Sequence, residues 1–310
     1  MVAIPGRQMA FPHWRLAEQM NASTRRFALT ATDRYLPILE AFVAGGWTPV
    51  KLFTVPTDER LHSNRRVVAR AQELGIPIQL SRLTDADLTD LGKMQCDLLV
   101  VASYPWRIGD WRPHIPHAVN FHPSPLPRYR GPLPQVWAIL DQQRRWGVSC
   151  HKLEQAFDSG AILAQHDFDL GERECFDVLD MKIQMSMREL ACTVANDFDQ
   201  LWRDAQPQLN EHYVGFWSEA DRTLDFTQSY EMIDRQLRAF GQHECLATIN
   251  DVAIHVRRAI TWPEAHTARL GSVVHADGLR MVIACRGGYT AILDWAFFSA
   301  EAITGTPNSA

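Results

Sequence analysis

From Arg25 onward the chain alternates between short apolar runs and stretches whose apolar residues recur every three to four positions. Residues 27–31 read as a strand, and 36–44 have helical spacing that ends at Gly45-Gly46. Residues 50–55 form the next strand, 64–74 a helix charged on one face and closed by Gly75, and 76–80 another strand. A Thr/Asp start signal opens a short helix over 84–91. Residues 97–102 (DLLVVA) are almost wholly apolar, as buried parallel strands are, and strands over 118–121 and 147–153 follow. Strand–helix alternation across the first 120 residues predicts an α/β fold, a Rossmann-like parallel sheet with right-handed crossovers. Residues 175–205 carry apolar side chains at Val178, Met181, Met185, Leu190, Val194 and Phe198, the pattern of one long helix. Periodicity then breaks over 206–218. Beyond it a helix over 230–240 precedes five short strands (245–249, 252–260, 271–275, 279–284 and 290–295), which predict a small antiparallel β-barrel. The expected organisation is an N-terminal extension (1–24), an α/β domain (25–206), a linker (207–220) and a C-terminal barrel domain (221–300).

Composition narrows the classes. With 46% apolar and 22% charged residues in 310, the chain has enough apolar material for two ordinary domains. A formal charge of −5 argues against a generic polyanion binder. No apolar run approaches the ~20 residues of a membrane helix, and residues 1–24 lack the basic-then-apolar layout of a secretory signal. A cytoplasmic protein is expected. The six cysteines contain no C-x-x-C pair and read as reduced core residues. His114, His117 and His151 show no ligand spacing, so no metal is expected. Thr30-Ala31-Thr32-Asp33 stands where a dinucleotide site would place G-x-G-x-x-G. Trp106 and Trp111, after Tyr104, read as core residues in preference to a lid.

In open α/β sheets ligands sit beyond the carboxyl ends of the strands. Residues 119–131, VNFHPSPLPRYRG, begin at such an end, and Pro123, Pro125 and Pro127 stiffen the loop. Asn120 and His122 are two apart on the predicted strand and share a face. An amide that donates and an imidazole that carries a proton can together stabilise a developing oxyanion. Farther on, Phe157-Asp158-Ser159-Gly160 places a carboxylate in a glycine-ended loop, where it can orient His122 or take up a proton. Singly, each residue is ordinary: a structural His, an Asn serving backbone groups, an Asp in a turn. The ordered set is not: N-x-H-P-S-x-L-P-x-x-x-G, then a carboxylate 36 residues after the His.

On that set the chain resembles the 10-formyltetrahydrofolate-dependent formyltransferases, in the two-domain branch of methionyl-tRNA formyltransferase and related sugar and siderophore formyltransferases. The resemblance runs from about residue 25 to 295 and is strongest over 120–131 and 152–160. It implies a Rossmann-like catalytic domain with a small OB-like barrel behind it, 10-formyltetrahydrofolate as cosubstrate, and a catalytic trio of Asn120, His122 and Asp158. Asn120, and His122 when protonated, would donate to the oxyanion. The folate is expected beside Leu99, Val101, Ala102, Ser103, Tyr104, Leu153 and Phe157, with Ser124 and Leu126 closing the cleft.

The acceptor amine is less legible. Residues 211–310 hold 8 Arg and no Lys against 12 acidic residues, which disfavours tRNA, whose binding rests on basic contacts to phosphate. Arg60, Arg65, Arg66 and Arg70 read as a solvated helix face. A small-molecule amine is expected, either a nucleotide-linked amino sugar or an N-hydroxyornithine-type siderophore precursor, with Arg128, Tyr129 and Arg130 as its contacts. Methionyl-tRNA and hydrolysis of 10-formyltetrahydrofolate are the alternatives, and a homo-oligomer is compatible with the sequence.

Overall fold

The structure, a computed structural model, describes residues 25–57, 63–210 and 212–297; the extension 1–24, Arg60 and the stretch beyond 297 lie outside the described residues. In the first domain the elements run β1 (Arg26–Thr30), α1 (Leu36–Ala44), β2 (Thr48–Phe53), α2 (Arg65–Glu73), β3 (Ile78–Gln79), α3 (Asp85–Lys93), β4 (Leu98–Val101), β5 (His117–His122), α4 (Pro134–Leu140), β6 (Arg145–Lys152), β7 (Ile162–Asp169) and α5 (Phe176–Asp204). They build one seven-stranded sheet in the order β3-β2-β1-β4-β5-β6-β7.

The pattern of side chains explains the layers. Phe27, Leu29, Val100, Val119 and Phe121 alternate onto one face of the sheet, where Ile38 and Phe42 of α1 and Leu190, Val194 and Phe198 of α5 cover them. Trp47 seals this layer, edge-on to Phe42 and Phe198 at 5.5 Å, with its Nε1 donating to the Ala195 carbonyl at 2.9 Å. Each such side chain contributes about 1.5–3 kcal/mol on full burial. Ala28, Leu99, Val101 and Ala118 face the other way, onto Leu88 and Leu91 of α3 and onto Trp111. Trp111 is therefore core, as expected. Trp106 is half-buried and lines a cleft.

The parallel sheet read from the first 120 residues is present in β1–β5, and two antiparallel strands extend it. β1 to β5 are parallel, whereas β6 runs antiparallel to β5, and β7 antiparallel to β6. A parallel neighbour needs a crossover that returns the chain to the starting end of the sheet. The chain from His122 to Arg145 holds only the seven-residue α4, and it stays at the carboxyl end, so the next strand runs back. β7 is not legible in the sequence because it alternates at the sheet edge as ILAQHDFD, with only Leu163 buried.

The second domain comprises α6 (Glu219–Arg222), α7 (Tyr230–Phe240), β8 (Cys245–Ile249), β9 (Val252–Pro263), β10 (Val273–Ala276), β11 (Met281–Cys285) and β12 (Gly288–Phe297). All five strands read from the sequence are present, in one antiparallel sheet of order β10-β11-β12-β9-β8. Among the described residues the ladders run from β10 to β8 without joining those two strands, as in a partly open barrel. His243 packs against Phe176 of α5 in the first domain at 4.9 Å, and Trp217 of the linker packs against Phe240 at 5.4 Å. All six cysteines are free, and four of them are buried.

Candidate active site

A cleft of about 700 Å³ opens beyond the carboxyl ends of β1, β4 and β5. The chain leaves β1 toward β2 on one side and β4 toward β5 on the other, which makes this the switch point where open α/β sheets take ligands. Asn120, His122 and Asp158 all line it.

Strand pairing places the first two. Asn120 and His122 lie on β5, and the antiparallel register sets His151 opposite Asn120 and Ser149 opposite His122. Ser149 does local work there. Its Oγ accepts from the Leu126 amide at 3.0 Å and donates to the Ser124 carbonyl at 2.7 Å, pinning the Ser-Pro-Leu turn against β6. Asp158 comes from the loop between β6 and β7, at φ +54°. One carboxylate oxygen accepts from the Gly131 amide at 2.9 Å and the other from Asn120 Nδ2 at 3.2 Å. His122 Nδ1 stands 3.5 Å away and His151 Nε2 3.7 Å. The loop closes at Gly160, where a Cβ would fall 1.9 Å from the Lys152 carbonyl oxygen. Gln208 Nε2 ties it down by donating to the carbonyls of Asp158 and Gly160 at 2.9 and 2.7 Å.

The electrostatics follow from burial and these partners. Burial works to protonate Asp158, but its interaction with His122 and the hydrogen bond from the Gly131 N–H outweigh it, holding the carboxyl well below the usual carboxylate range. Burial lowers the His122 pKa, and the Asp158 charge opposes this only in part. Burial thus favours the neutral form of His122. Its Nε2 lies 3.1 Å from the Tyr129 carbonyl, which can only accept, so Nε2 carries the hydrogen and Nδ1 the basic lone pair beside Asp158.

The other predicted contacts divide. Val101, Ser103, Tyr104, Leu153 and Phe157 line the cleft. Leu99 and Ala102 do not; both point into the packed layers of the sheet. Ser124 and Leu126 are buried in the turn held by Ser149. The residues proposed for the acceptor lie off the cleft. Tyr129 is buried on Trp146, with its hydroxyl donating to Asp141 at 3.0 Å. Arg130 is buried and donates to Gln208 at 2.9 Å, and Arg128 is exposed outside the cleft lining.

Other residues take those places. Arg34, Trp106, Arg107, Arg112, Tyr213 and Phe216 line the walls, and Gln135 is 2% exposed with an Oε1 that has no partner among the described residues. The linker is not a free tether. Its residues 212–214 exchange backbone hydrogen bonds with Pro127 and Arg130 at 2.8–3.1 Å, which carries the rings of Tyr213 and Phe216 to the cleft mouth. No periodic signal in 206–218 announces this. His151 was legible only through the antiparallel register. Ser103, Tyr129, Leu133 and Asp158 around the cleft all have positive φ, strain of order 1–3 kcal/mol each that clusters at functional sites. Among the described residues no group of three or more His, Cys, Asp or Glu is placed to hold a metal, and no helix is long and apolar enough to cross a membrane.

Known proteins share this plan. Residues 54–193 match the formyl transferase family model and residues 217–306 that of the formyl transferase C-terminal domain. The methionyl-tRNA formyltransferase of Rhizorhabdus wittichii is 30% identical over 227 residues, covering 70% of this chain and 73% of the relative. That of Roseobacter denitrificans is 28% identical, covering 67% and 71%. Among solved structures, an N-formyltransferase from Helicobacter canadensis in complex with folinic acid and dTDP-3-aminofucose aligns with a TM-score of 0.64 at 15% identity, over 88% of this chain and all of that one. A HypX variant from Aquifex aeolicus aligns at 0.67 and 16% identity over 90% of this chain, which spans under half of the HypX length (47%). With matches to both domain models and a 30%-identical relative covered over more than two thirds of its length, the chain belongs to the formyl transferase family.

Proposed function

We propose that this protein transfers the formyl group of 10-formyltetrahydrofolate to the amine of a small, ring-bearing acceptor, a nucleotide-linked amino sugar. The observation that carries the transfer is the convergence of Asn120, neutral His122 and ionised Asp158 on one cleft floor. An amine attacking a formyl carbon puts charge on the formyl oxygen and must lose a proton. The Asn120 amide donates to that charge. Nδ1 of His122 receives the proton, and the Asp158 carboxylate stabilises the imidazolium that forms. The lining fits the donor: Trp106, Ile108 and Phe157 offer apolar surface for a flat pterin, and Arg107 offers a cation for the carboxylate tail.

For the acceptor, the exposed rings of Tyr213 and Phe216 at the mouth suit a nucleobase, which an ornithine derivative lacks. Four of the eight arginines over residues 211–310 are drawn into local pairs, Arg222 with Glu219, Arg238 with Asp234, Arg257 with Glu244 and Arg280 with Asp277, and the 12 acidic residues of the same stretch oppose a phosphate backbone. A second reading, methionyl-tRNA as acceptor, is favoured by the names of the curated sequence relatives and by the exposed Arg66 of α2. Arg70 of that helix is committed to Glu40 and Glu73.

The test is tetrahydrofolate release from 10-formyltetrahydrofolate with nucleotide-linked 3-amino and 4-amino sugars, N-hydroxyornithine, methionyl-tRNA and water in parallel. Acceleration by an amino sugar is expected. Acceleration by methionyl-tRNA alone moves the assignment to the second reading, and equal release in water makes the protein a hydrolase.

The same assay has a predicted pH dependence. A base works only when unprotonated, and burial favours the neutral form of His122. Activity will therefore be retained as pH falls to the ordinary imidazole value of 6.5 and be lost only below it. An acid limb with its midpoint above 6.5 contradicts the role given to His122.

A further inference from the structure

His151 has no part in the trio, yet it sits in the middle of it. It is 1% exposed on β6, directly opposite Asn120. Its Nδ1 lies 2.8 Å from the Lys152 carbonyl oxygen, which can only accept, so Nδ1 carries a hydrogen. Its Nε2 lies 3.1 Å from Asn120 Nδ2, within hydrogen-bond range, and 3.7 Å from Asp158, outside it. Asn120 Nδ2 also meets the Asp158 carboxylate at 3.2 Å. A carboxylate there requires the NH₂ end of the amide, and an NH₂ end requires a lone pair on His151. We infer that His151 is a positioning residue, held as the neutral Nδ1–H tautomer, whose Nε2 lone pair locks the Asn120 amide with its NH₂ toward the trio.

The lock works because the inverted amide is penalised twice. Flipped, Asn120 would set its oxygen against the Asp158 carboxylate and against the His151 lone pair. Asp158 alone would permit the amide to swing about its single contact; the second acceptor, fixed across the strand pair, removes that freedom. The two bonds also differ in strength, since one acceptor is charged and the other neutral. An oxyanion forming in the cleft therefore competes with the imidazole, not the carboxylate, for an Asn120 hydrogen. His151 keeps that hydrogen oriented in the free site and yields it as charge develops, an interaction stronger in the transition state than before it. The kinetic consequence rests on the formyl-transfer reading; the tautomer does not.

Two experiments separate these. ¹⁵N-histidine NMR of the full chain, with His151 assigned by loss of its signals on substitution, is expected to show a protonated Nδ1 and a bare Nε2 at neutral pH. A protonated Nε2 overturns the inference whatever the enzyme's activity. In the second, hydroxylamine serves as a small amine probe with 10-formyltetrahydrofolate. His151→Gln keeps an acceptor within reach and is expected to retain kcat within about threefold, whereas His151→Met, of similar length without a comparable acceptor, loses about tenfold or more, with KM for the folate nearly unchanged. Equal losses in both variants, or a change confined to KM, overturn it. Failure of the wild type to turn over would count against the formyl-transfer reading, and the NMR result would still decide the tautomer.

Discussion

Replacing Asp158 by asparagine will lower the turnover of formyl transfer by roughly 10³-fold and leave the fold intact. The carboxylate is a hub: it accepts from the Gly131 and Asn120 amides and faces the imidazoles of His122 and His151. An asparagine can still take the Gly131 hydrogen with its oxygen, but it then turns an NH₂ toward the amide of Asn120. The negative charge that stabilises protonated His122 also disappears, and with it the route for the amine's proton. Stability will fall as well, because the folded protein holds this carboxyl ionised against the cost of its burial, and that net stabilisation goes with the charge. The measurement is single-turnover formyl transfer alongside thermal unfolding. Turnover near the wild-type rate with the usual melting profile would remove Asp158 from the mechanism.

Gly131→Ala will damage both structure and activity, at a position distant from any reacting atom by role. Gly131 has φ +103°, a conformation that side-chain-bearing residues avoid, and a Cβ there would lie 2.1 Å from the Val214 carbonyl oxygen and 3.0 Å from the Tyr213 ring. The methyl group must push the linker off the catalytic loop or shift the loop itself. Either movement disturbs the Gly131 amide that holds Asp158. A loss of about 2–4 kcal/mol is expected, with a fall in activity beyond what unfolding explains. Gly278 provides the comparison. It has φ +80° with nothing within 4 Å of its would-be Cβ, so Gly278→Ala carries only the backbone strain, about 1 kcal/mol. Denaturant unfolding of the two variants distinguishes them, and equal losses would mean that the linker does not press on the loop.

The two variants bear on different kinds of information. The two-residue repeat puts Asn120 and His122 on one strand face and Asp158 falls in a short glycine-ended loop, but it was the family resemblance of the ordered motif that singled these three out. Helices α1 and α7 were legible to the residue, since an amphipathic repeat bounded by glycine leaves little freedom. The acceptor side was not. Tyr129 and Arg130 look available next to the catalytic loop, yet the loop turns them inward onto Asp141 and Gln208. Nothing local distinguishes a side chain that faces a cleft from one that braces the loop behind it.

What the sequence indicated by itself is therefore most of the elements, consequences of short-range periodicity and turn residues, while the proposed trio came through the ordered motif and the family resemblance that it carries. Tertiary structure alone decided the reversal of β6, the pairing of His151 with Asn120, and the docking of the linker that brings Tyr213 and Phe216 to the cleft. The physical reason is common to all three. A two-residue repeat says which side chains share a face of one strand, but which strand lies opposite, and in what register, depends on where the whole chain can bury its apolar faces and satisfy its backbone hydrogen bonds.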